Sequence, residues 1–292
     1  MESIIHSHSF LALTALITVG YQLVFFTITA LFRFDKVTDF AGCSNIVVLG
    51  ILTLTLKASW HLRQAALTSF VVVWGFRLGI FLLMRILQWG EDRRFDKIRN
   101  NLGKLAFSWT FQAAWVWTAS LPLTIVNASD RNPPVQAPDI IGCIMWLIGI
   151  IIEAIADQQK LMFKNSPASN EQWCNVGVWK YSRHPNYFGE ILLWWGVFAA
   201  STPVLNGAEW LVVIGPVFLT LLMLFISGVP LLEKSADKRY NGVTEYHVYK
   251  STTSPLIPLP PAIYGRLPAW FKAAFLFEFP LYTQKNLKDR SS

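Results

Sequence analysis

Four uncharged apolar runs, at residues 10–32, 40–56, 105–126 and 210–232, constrain this chain more than any other feature. Each approaches the ~20 residues that a helix needs to cross the ~30 Å hydrocarbon layer of a bilayer, and there the backbone polar groups must be satisfied within the segment. Three further apolar stretches carry isolated charges: 65–88 holds Arg77 and Arg85, 138–158 holds Glu153 and Asp157, and 187–208 holds Glu190. The expectation is an all-α integral membrane protein of about seven transmembrane helices. No repeat or low-complexity linker divides it, so it reads as a single membrane domain over 1–292 with a tail from 233 to 292.

Charge placement sets the expected orientation. Of the 25 Lys and Arg, twenty fall on the side that carries the C-terminus, three (Lys57, Arg63 and Arg131) fall on the other, and Arg77 and Arg85 lie within a span. Cytoplasmic loops retain basic residues, so the N-terminus is expected outside and the C-terminus in the cytosol. The net charge of +7 is then a topology signal, and nucleic acid is not an expected partner. The first run lacks the features of a cleaved signal and is long enough to remain as an anchor. Cys43, Cys143 and Cys174 have no paired spacing, which implies neither a disulfide framework nor a zinc site. Asn127-Ala-Ser129 is a glycosylation triplet in a loop expected to face away from the cytosol. Pro255, Pro258, Pro260 and Pro261 are expected to interrupt helix after the seventh span. The aromatic stretch 267–279 is too short to cross and reads as a short interfacial helix.

Polar residues within or beside the apolar runs are the functional candidates, because a charge in the bilayer core costs about 2.5–3.5 kcal/mol on insertion scales. Glu153, Asp157, Lys160 and Lys164 follow one another at helical spacing, forming a stripe from lipid depth into water. Ribose hydroxyls suit the carboxylates and phosphates suit the lysines; an internally neutralised charge ladder is the alternative. Asn186 and Glu190 are four apart behind Pro185, a residue that starts helices. A carboxamide beside a carboxylate can bind a primary amide in both directions. Alternatively, Asn186 caps the helix and Glu190 pairs with Arg183 or Arg77. After the last span, Glu233, Lys234, Lys238, Arg239, Tyr240, Tyr246, His247, Tyr249 and Lys250 combine cations suited to phosphate with rings suited to purine stacking. Anionic lipid would account for the lysines but not for the tyrosines. There is no G-x-G-x-x-G, Walker loop, G-x-S-x-G or His-rich metal pattern.

These residues resemble a known family. Tyr-Ser-Arg-His-Pro-Asn-Tyr-Phe-Gly-Glu at 181–190 precedes a Trp-rich span, and Trp-Gly-Phe-Arg-Leu stands at 74–78 and Glu-Asp-Arg-Arg-Phe at 91–95. With Tyr-His-Val-Tyr-Lys at 246–250 and Leu-Ile-Pro at 256–258, the pattern is similar to the DUF1295 group of the steroid 5-alpha-reductase-like superfamily, most strongly over 150–258. The resemblance implies a seven-helix membrane reductase that takes NADPH from the cytosol and reduces a carbon–carbon double bond conjugated to a ketone in a steroid or other lipid-like substrate. It places Asp157, Lys164, Asn186 and Glu190 on the cofactor, with Arg183 and Tyr187 in the same turn. Glu233, Arg239, Tyr240 and Tyr246 complete the phosphate and adenine side. Trp74 and Asp39 match the positions of the catalytic donor and its helper, with Arg77 beside Trp74. An indole donates a hydrogen bond but is a poor proton source, which leaves open a protein that binds cofactor or lipid without catalysis. Isoprenylcysteine carboxyl methyltransferases share the Arg-His-Pro turn and bind S-adenosylmethionine, which keeps a methyltransferase as a further alternative. The expected partners are membrane lipids and a lipid-like small molecule, with no obligate protein partner. The expected compartment is the endoplasmic reticulum, or the inner membrane in a bacterium.

Overall fold

A computed structural model describes residues 2–32, 37–89, 101–170, 172–240 and 242–282. Their regular structure is helical: α1 (Glu2–Phe32), α2 (Thr38–Lys57), α3 (Leu62–Trp89), α4 (Leu102–Ala128), α5 (Ala137–Lys164), α6 (Pro185–Ser201), α7 (Ile214–Leu221), α8 (Val229–Tyr240), α9 (Thr244–Thr252), α10 (Pro261–Tyr264) and α11 (Ala269–Phe275). Among the described residues, five segments are long and apolar enough to cross a membrane: Ser9–Phe32, Thr38–Lys57, Leu62–Gln88, Ala137–Lys164 and Gly207–Tyr240. Two expected spans are not among these five. The 17 residues of α6 rise about 26 Å at 1.5 Å each, a little less than the apolar layer. In α4, Gln112, Ser120, Thr124 and Asn127 dilute the apolar residues.

The stretch 210–232, expected as one helix, is segmented. A 3₁₀ turn at Gly207–Val213 leads into α7, a π turn follows at Leu222–Ile226, and the chain bends before α8. The bend depends on Gly228, where a Cβ would stand 2.4 Å from the Met223 carbonyl oxygen. Residues 229–232 therefore belong to α8, and the tail expected from 233 begins inside that helix. Pro255, Pro258, Pro260 and Pro261 do not prevent short helices there: α10 starts on Pro261, whose missing N–H is no loss at a first helical position.

The chain divides into two compact units, Met1–Trp146 with Trp194–Phe218, and Leu147–Leu193 with Leu219–Ser292. In the first, α2 packs on α3 and α4, and α1 on α4. Apolar helices in lipid gain little from hydrophobic contact, so close packing and hydrogen bonds hold them together. Gly75 lets α3 approach α2 so closely that a Cβ would meet the Val47 side chain at 2.3 Å. Gln22 Nε2 donates to Asn45 Oδ1 at 3.0 Å, and Gln112 Nε2 donates to the Thr38 carbonyl at 2.8 Å. Pro122 leaves the Thr118 carbonyl without its helical donor, and Gly215 backs onto that oxygen, where a Cβ would stand 2.5 Å away.

Asn127 corrects the glycosylation expectation. It lies in the last turn of α4, not in a loop, and is fully buried. Its Nδ2 donates to Thr53 Oγ1 at 2.9 Å and to Thr68 Oγ1 at 3.2 Å, which closes it to a glycosylating enzyme. Lys57, Arg63 and Arg131 each meet a carboxylate: Lys57 with Asp130 at 2.7 Å, Arg63 with Asp139 at 2.6 Å, and Arg131 with Glu209.

In the second unit, α5 and α6 touch through glycine. A Cβ on Gly149 would lie 2.6 Å from the Gly189 carbonyl oxygen, and one on Gly189 would lie 2.6 Å from the Gly149 oxygen. Seven residues away on each helix, within the first unit, Gly142 and Gly196 repeat the contact, with 2.5 Å from a Gly142 Cβ to the Gly196 oxygen. The second unit's apolar cluster gathers Leu224, Val229, Leu256 and Tyr282, with Phe188, Ile191, Phe277 and Phe279 against it.

Gly149→Ala must push the two backbones apart, at about 1–3 kcal/mol for an overpacked contact. Thermal unfolding in detergent should show a clear drop for Gly149→Ala. Gly20→Ala, where a Cβ would meet nothing within 4 Å, should leave the midpoint unchanged or raise it. Equal midpoints for the two variants would refute the contact.

Candidate functional site

The glycine contact decides which side chains α5 and α6 present to each other. A Cβ on Gly189 would stand 2.9 Å from Glu153 Cβ, so that carboxylate is packed against the bare stretch of α6. Asn186 and Glu190 flank Gly189 on the same side of α6, and Asp157 lies one turn beyond Glu153 on α5. Glu153, Asp157 and Glu190 are only 1%, 7% and 8% exposed. Helix α6 begins at Pro185, so Asn186 is inside the helix and does not cap it. Its Oδ1 is buried without a hydrogen-bond partner among the described residues. A buried acceptor left unmatched costs about 1–3 kcal/mol, so such an atom marks a place for a ligand's donor.

The segment before α6 is held by α5. Gly177 takes φ +53°, a left-handed conformation suited to glycine, with Gln159 directly over it. Gln159 Oε1 accepts from the Val178 N–H at 2.9 Å, and Trp179 Nε1 donates to the Ala156 carbonyl at 2.9 Å. Lys160 Nζ lies 4.2 Å above the Trp179 ring. The chain then pairs with the segment after α9. Ser182 and Ser254 form a parallel bridge, and the Arg183 N–H donates to the Ser254 carbonyl at 2.8 Å. Ser182 Oγ donates to the Leu256 carbonyl at 2.8 Å, and the Leu259 N–H donates to the Tyr181 carbonyl at 3.0 Å.

Arg183 anchors a buried ionic network. Its Nη2 donates to both Glu278 carboxylate oxygens at 2.8 Å, its Nη1 to the Lys250 carbonyl at 3.0 Å, and its Nε lies 3.4 Å from Glu233 Oε1. Glu233 also meets His184 Nε2 at 2.8 Å and Lys250 Nζ at 3.2 Å. Lys250 continues to Asp237 Oδ1 at 2.6 Å, which accepts from Tyr246 Oη at 3.0 Å. Tyr264 Oη donates to Glu278. Burial opposes charge on Arg183, but Glu233 and Glu278 outweigh it and hold the guanidinium above its usual value. Burial, then Glu233 and Asp237, raise the Tyr246 phenol, which stays protonated as a donor. Burial lowers the His184 imidazole below its usual value despite the opposing pull of Glu233.

The tyrosines after α8 close on a tryptophan. Trp173 lies edge-on to Tyr240 and Tyr246 at 5.8 and 5.2 Å, and Tyr249 tilts against it at 5.7 Å. Tyr240 Oη donates to the Gln172 carbonyl at 2.9 Å, and Tyr249 Oη to the Trp179 carbonyl at 2.7 Å. These contacts pack the three tyrosine rings around Trp173. Nearby, Arg239 Nη2 donates to the Ser169 carbonyl at 2.9 Å while Ser169 Oγ donates to the Lys164 carbonyl at 3.0 Å. One serine thus ties the backbone at Lys164 to the Arg239 side chain.

The candidate set therefore sorts into groups. Asn186 and Glu190 share the α6 face that meets Glu153, with Asp157 next in line. Tyr187 stacks on His184 at 5.8 Å and packs into the apolar cluster. Arg183 and Glu233 bond each other and their neighbours. Trp74, Asp39 and Arg77 belong to the first unit. Trp74 is fully buried, edge-on to Trp194 at 4.9 Å, and its Nε1 has no partner among the described residues. Asp39 lies 4.0 Å from Arg85. The Glu-Asp-Arg-Arg-Phe segment at 91–95 lies outside the described residues. The sequence reading did not single out Trp173, Trp179, Asp237 or Glu278. Glu278 carried a signal, being a lone carboxylate among aromatic residues.

The DUF1295 family, whose description reads "Protein of unknown function (DUF1295)", matches residues 25–253, and the chain belongs to it. No curated protein matches the chain. No solved structure matches it either.

Glu278→Gln strips Arg183 of its bidentate partner. Breaking a buried pair costs about 3–5 kcal/mol, and the 24% exposure of the Glu278 side chain places the loss at or below the lower end. Chemical denaturation in detergent should show it, and an unchanged midpoint would contradict the network. Because the folded state disfavours a charged His184, an unfolded chain takes up a proton below about pH 6.5 that the folded one resists. Stability from this group is full above pH 6.5 and falls as the pH drops below it. Unfolding profiles of wild type and His184→Gln should converge toward acid pH; parallel profiles would contradict the assignment.

Proposed function

We propose that this DUF1295 protein is a membrane-embedded reductase that binds NADPH from the cytosol and acts on a carbon–carbon double bond conjugated to a ketone in a lipid-like substrate. The membrane arrangement in this reading is seven helices with the N-terminus outside, and α11 at the interface of the endoplasmic reticulum or of a bacterial inner membrane. The twenty-to-three split of basic residues supports the orientation. Exposure of Trp270 and Phe275 supports the interfacial placement of α11.

One observation carries the cofactor assignment: the buried, unmatched Asn186 Oδ1, one helical turn from the Glu190 carboxylate. Acceptors so placed suit the N–H groups of a primary amide such as the nicotinamide carboxamide. Glu153 and Asp157 suit ribose hydroxyls. Lys164 and Arg239, joined through Ser169, suit phosphate. From Glu153 to Lys164 the helix rises roughly 16 Å, so amide and phosphate ends would be read at separate levels of α5. When bound, the dinucleotide supplies a hydride. The chain's own contribution at the substrate would be a donor to the ketone oxygen, for which Trp74 Nε1 is suited.

Titration calorimetry on the full chain in detergent tests this reading. NADPH should bind well above S-adenosylmethionine, and the reverse order would favour a methyltransferase. Glu190→Gln and Asn186→Ala should each weaken NADPH by about tenfold, one to two kcal/mol of hydrogen bonding, without lowering the unfolding midpoint. Normal binding by both variants would remove the α6 turn from the site. NADPH binding without reduction of any enone would leave a cofactor-binding protein in place of an enzyme.

A further inference from the structure

Three amide side chains join α1, α2 and α4 in the first unit, and one backbone carbonyl sets the direction of them all. Gln112 donates from Nε2 to the Thr38 carbonyl at 2.8 Å and to Gln22 Oε1 at 3.2 Å. A carbonyl only accepts, so the nitrogen of Gln112, not its oxygen, must face Thr38. With Oε1 engaged by Gln112, Gln22 presents Nε2 at its other end, where it donates to Asn45 Oδ1 at 3.0 Å and to the Ala41 carbonyl at 3.5 Å. Asn45 cannot turn over, because its nitrogen would then meet the nitrogen of Gln22. Its Nδ2 therefore points away, fully buried and with no hydrogen-bond partner among the described residues.

Hydrogen bonding between membrane helices accounts for Gln22, for Gln112 and for the oxygen of Asn45. It leaves the nitrogen unexplained. Asn45 lies about 10 Å along α2 from its start, within a segment long and apolar enough to cross the bilayer, where an unmet N–H has little water to turn to. The unmatched atoms around it also have one sign. Among the described residues of the first unit, each buried side-chain atom without a hydrogen-bond partner is an N–H donor. No spare acceptor stands there for a ligand's own donor, so a carbonyl oxygen suits the place better than a hydroxyl.

We infer that the bundle of α1, α2 and α4 binds an uncharged apolar molecule by a carbonyl oxygen, with Asn45 Nδ2 as the donor and Gln22 and Gln112 as the positioning residues that aim it. The ligand's oxygen is that of a ketone or an ester. It is not the oxygen that the reading above gives to Trp74, and neither NADPH nor a reduction is needed to bind it.

The test places the full chain in nanodiscs of ether-linked lipid, which has no carbonyl of its own, and adds 9-fluorenone, 9-fluorenol or fluorene. These share a ring skeleton and differ in the oxygen. Wild type should bind the ketone about tenfold more tightly than fluorene, and more tightly than the alcohol, after correction for partition into empty nanodiscs. The infrared stretch of the bound ketone should move to lower frequency, as a hydrogen-bonded carbonyl does. Asn45→Leu should abolish that shift and remove the tenfold preference, with fluorene affinity changed by less than about twofold. Gln22→Leu keeps the donor but loses its aim, so the shifted band should weaken and broaden. An unshifted ketone band in wild type, the alcohol bound more tightly than the ketone, or a shift that survives in folded Asn45→Leu overturns the inference. Ester-linked lipid then identifies the source. Weakening of the ketone by about tenfold assigns the site to a lipid ester, and unchanged affinity assigns it to a ketone; both support the site.

Discussion

The contact between Gly149 and Gly189 is the constraint from which the second unit's chemistry follows. With a carbonyl oxygen 2.6 Å from each would-be Cβ, neither helix has room for a side chain, and their backbones define the spacing of everything beside them. Glu153 is pressed against α6 by that contact, and Asn186 and Glu190 are turned toward α5. A bulkier pair would hold the helices farther apart and let water or lipid reach the carboxylates. The cost of burying charge is thereby concentrated where the backbone is least able to yield.

The second organising feature is the Arg183 network, which joins sequence segments that the apolar cluster around Tyr282 also brings together. The guanidinium faces carboxylates from α8 and from the stretch after α11, while its backbone pairs with the stretch after α9. Two cations, Arg183 and Lys250, face three carboxylates, Glu233, Asp237 and Glu278, so the cluster has acceptor capacity to spare. His184 supplies a neutral donor that uses part of it. Buried pairs add little net stability, but removing one partner is expensive, so such a network selects one arrangement over its alternatives.

The apolar runs were legible because bilayer thickness writes itself into segment length. Each of the five segments long enough to cross contains an expected span, but the break at 227–228 was not expected, because Ser227-Gly228 sits in an unbroken hydrophobic run and only the clash at Met223 reveals the bend. In the site, helical spacing grouped Asn186 with Glu190, and Glu153 with Asp157, since spacing is a local property. The packing of Tyr240 and Tyr246 on Trp173 was not legible, because Trp173 lies more than 60 residues earlier in the chain. Glu278 was missed for the same reason, its partner being 95 residues away. Gly149 and Gly189 leave a readable trace in the seven-residue repeat with Gly142 and Gly196, but partner and register require coordinates.

Unmatched buried atoms of several kinds occur among the described residues, and they do not carry equal weight. Six tryptophans, Trp74, Trp109, Trp115, Trp146, Trp173 and Trp194, bury an indole N–H without a partner among the described residues. An indole is mostly apolar surface, so packing can hold it in place while its single donor goes unmet. The orphan N–H of Trp74 is therefore common in this chain and does not by itself distinguish a catalytic donor. A carboxamide oxygen and an imidazole nitrogen offer less apolar area in return for burial, and Asn186 and His184 stand two residues apart at the start of one helix. Burying such an atom costs more, and a polar partner accounts for each better than packing does. The functional weight of the structure accordingly falls on that turn more than on Trp74.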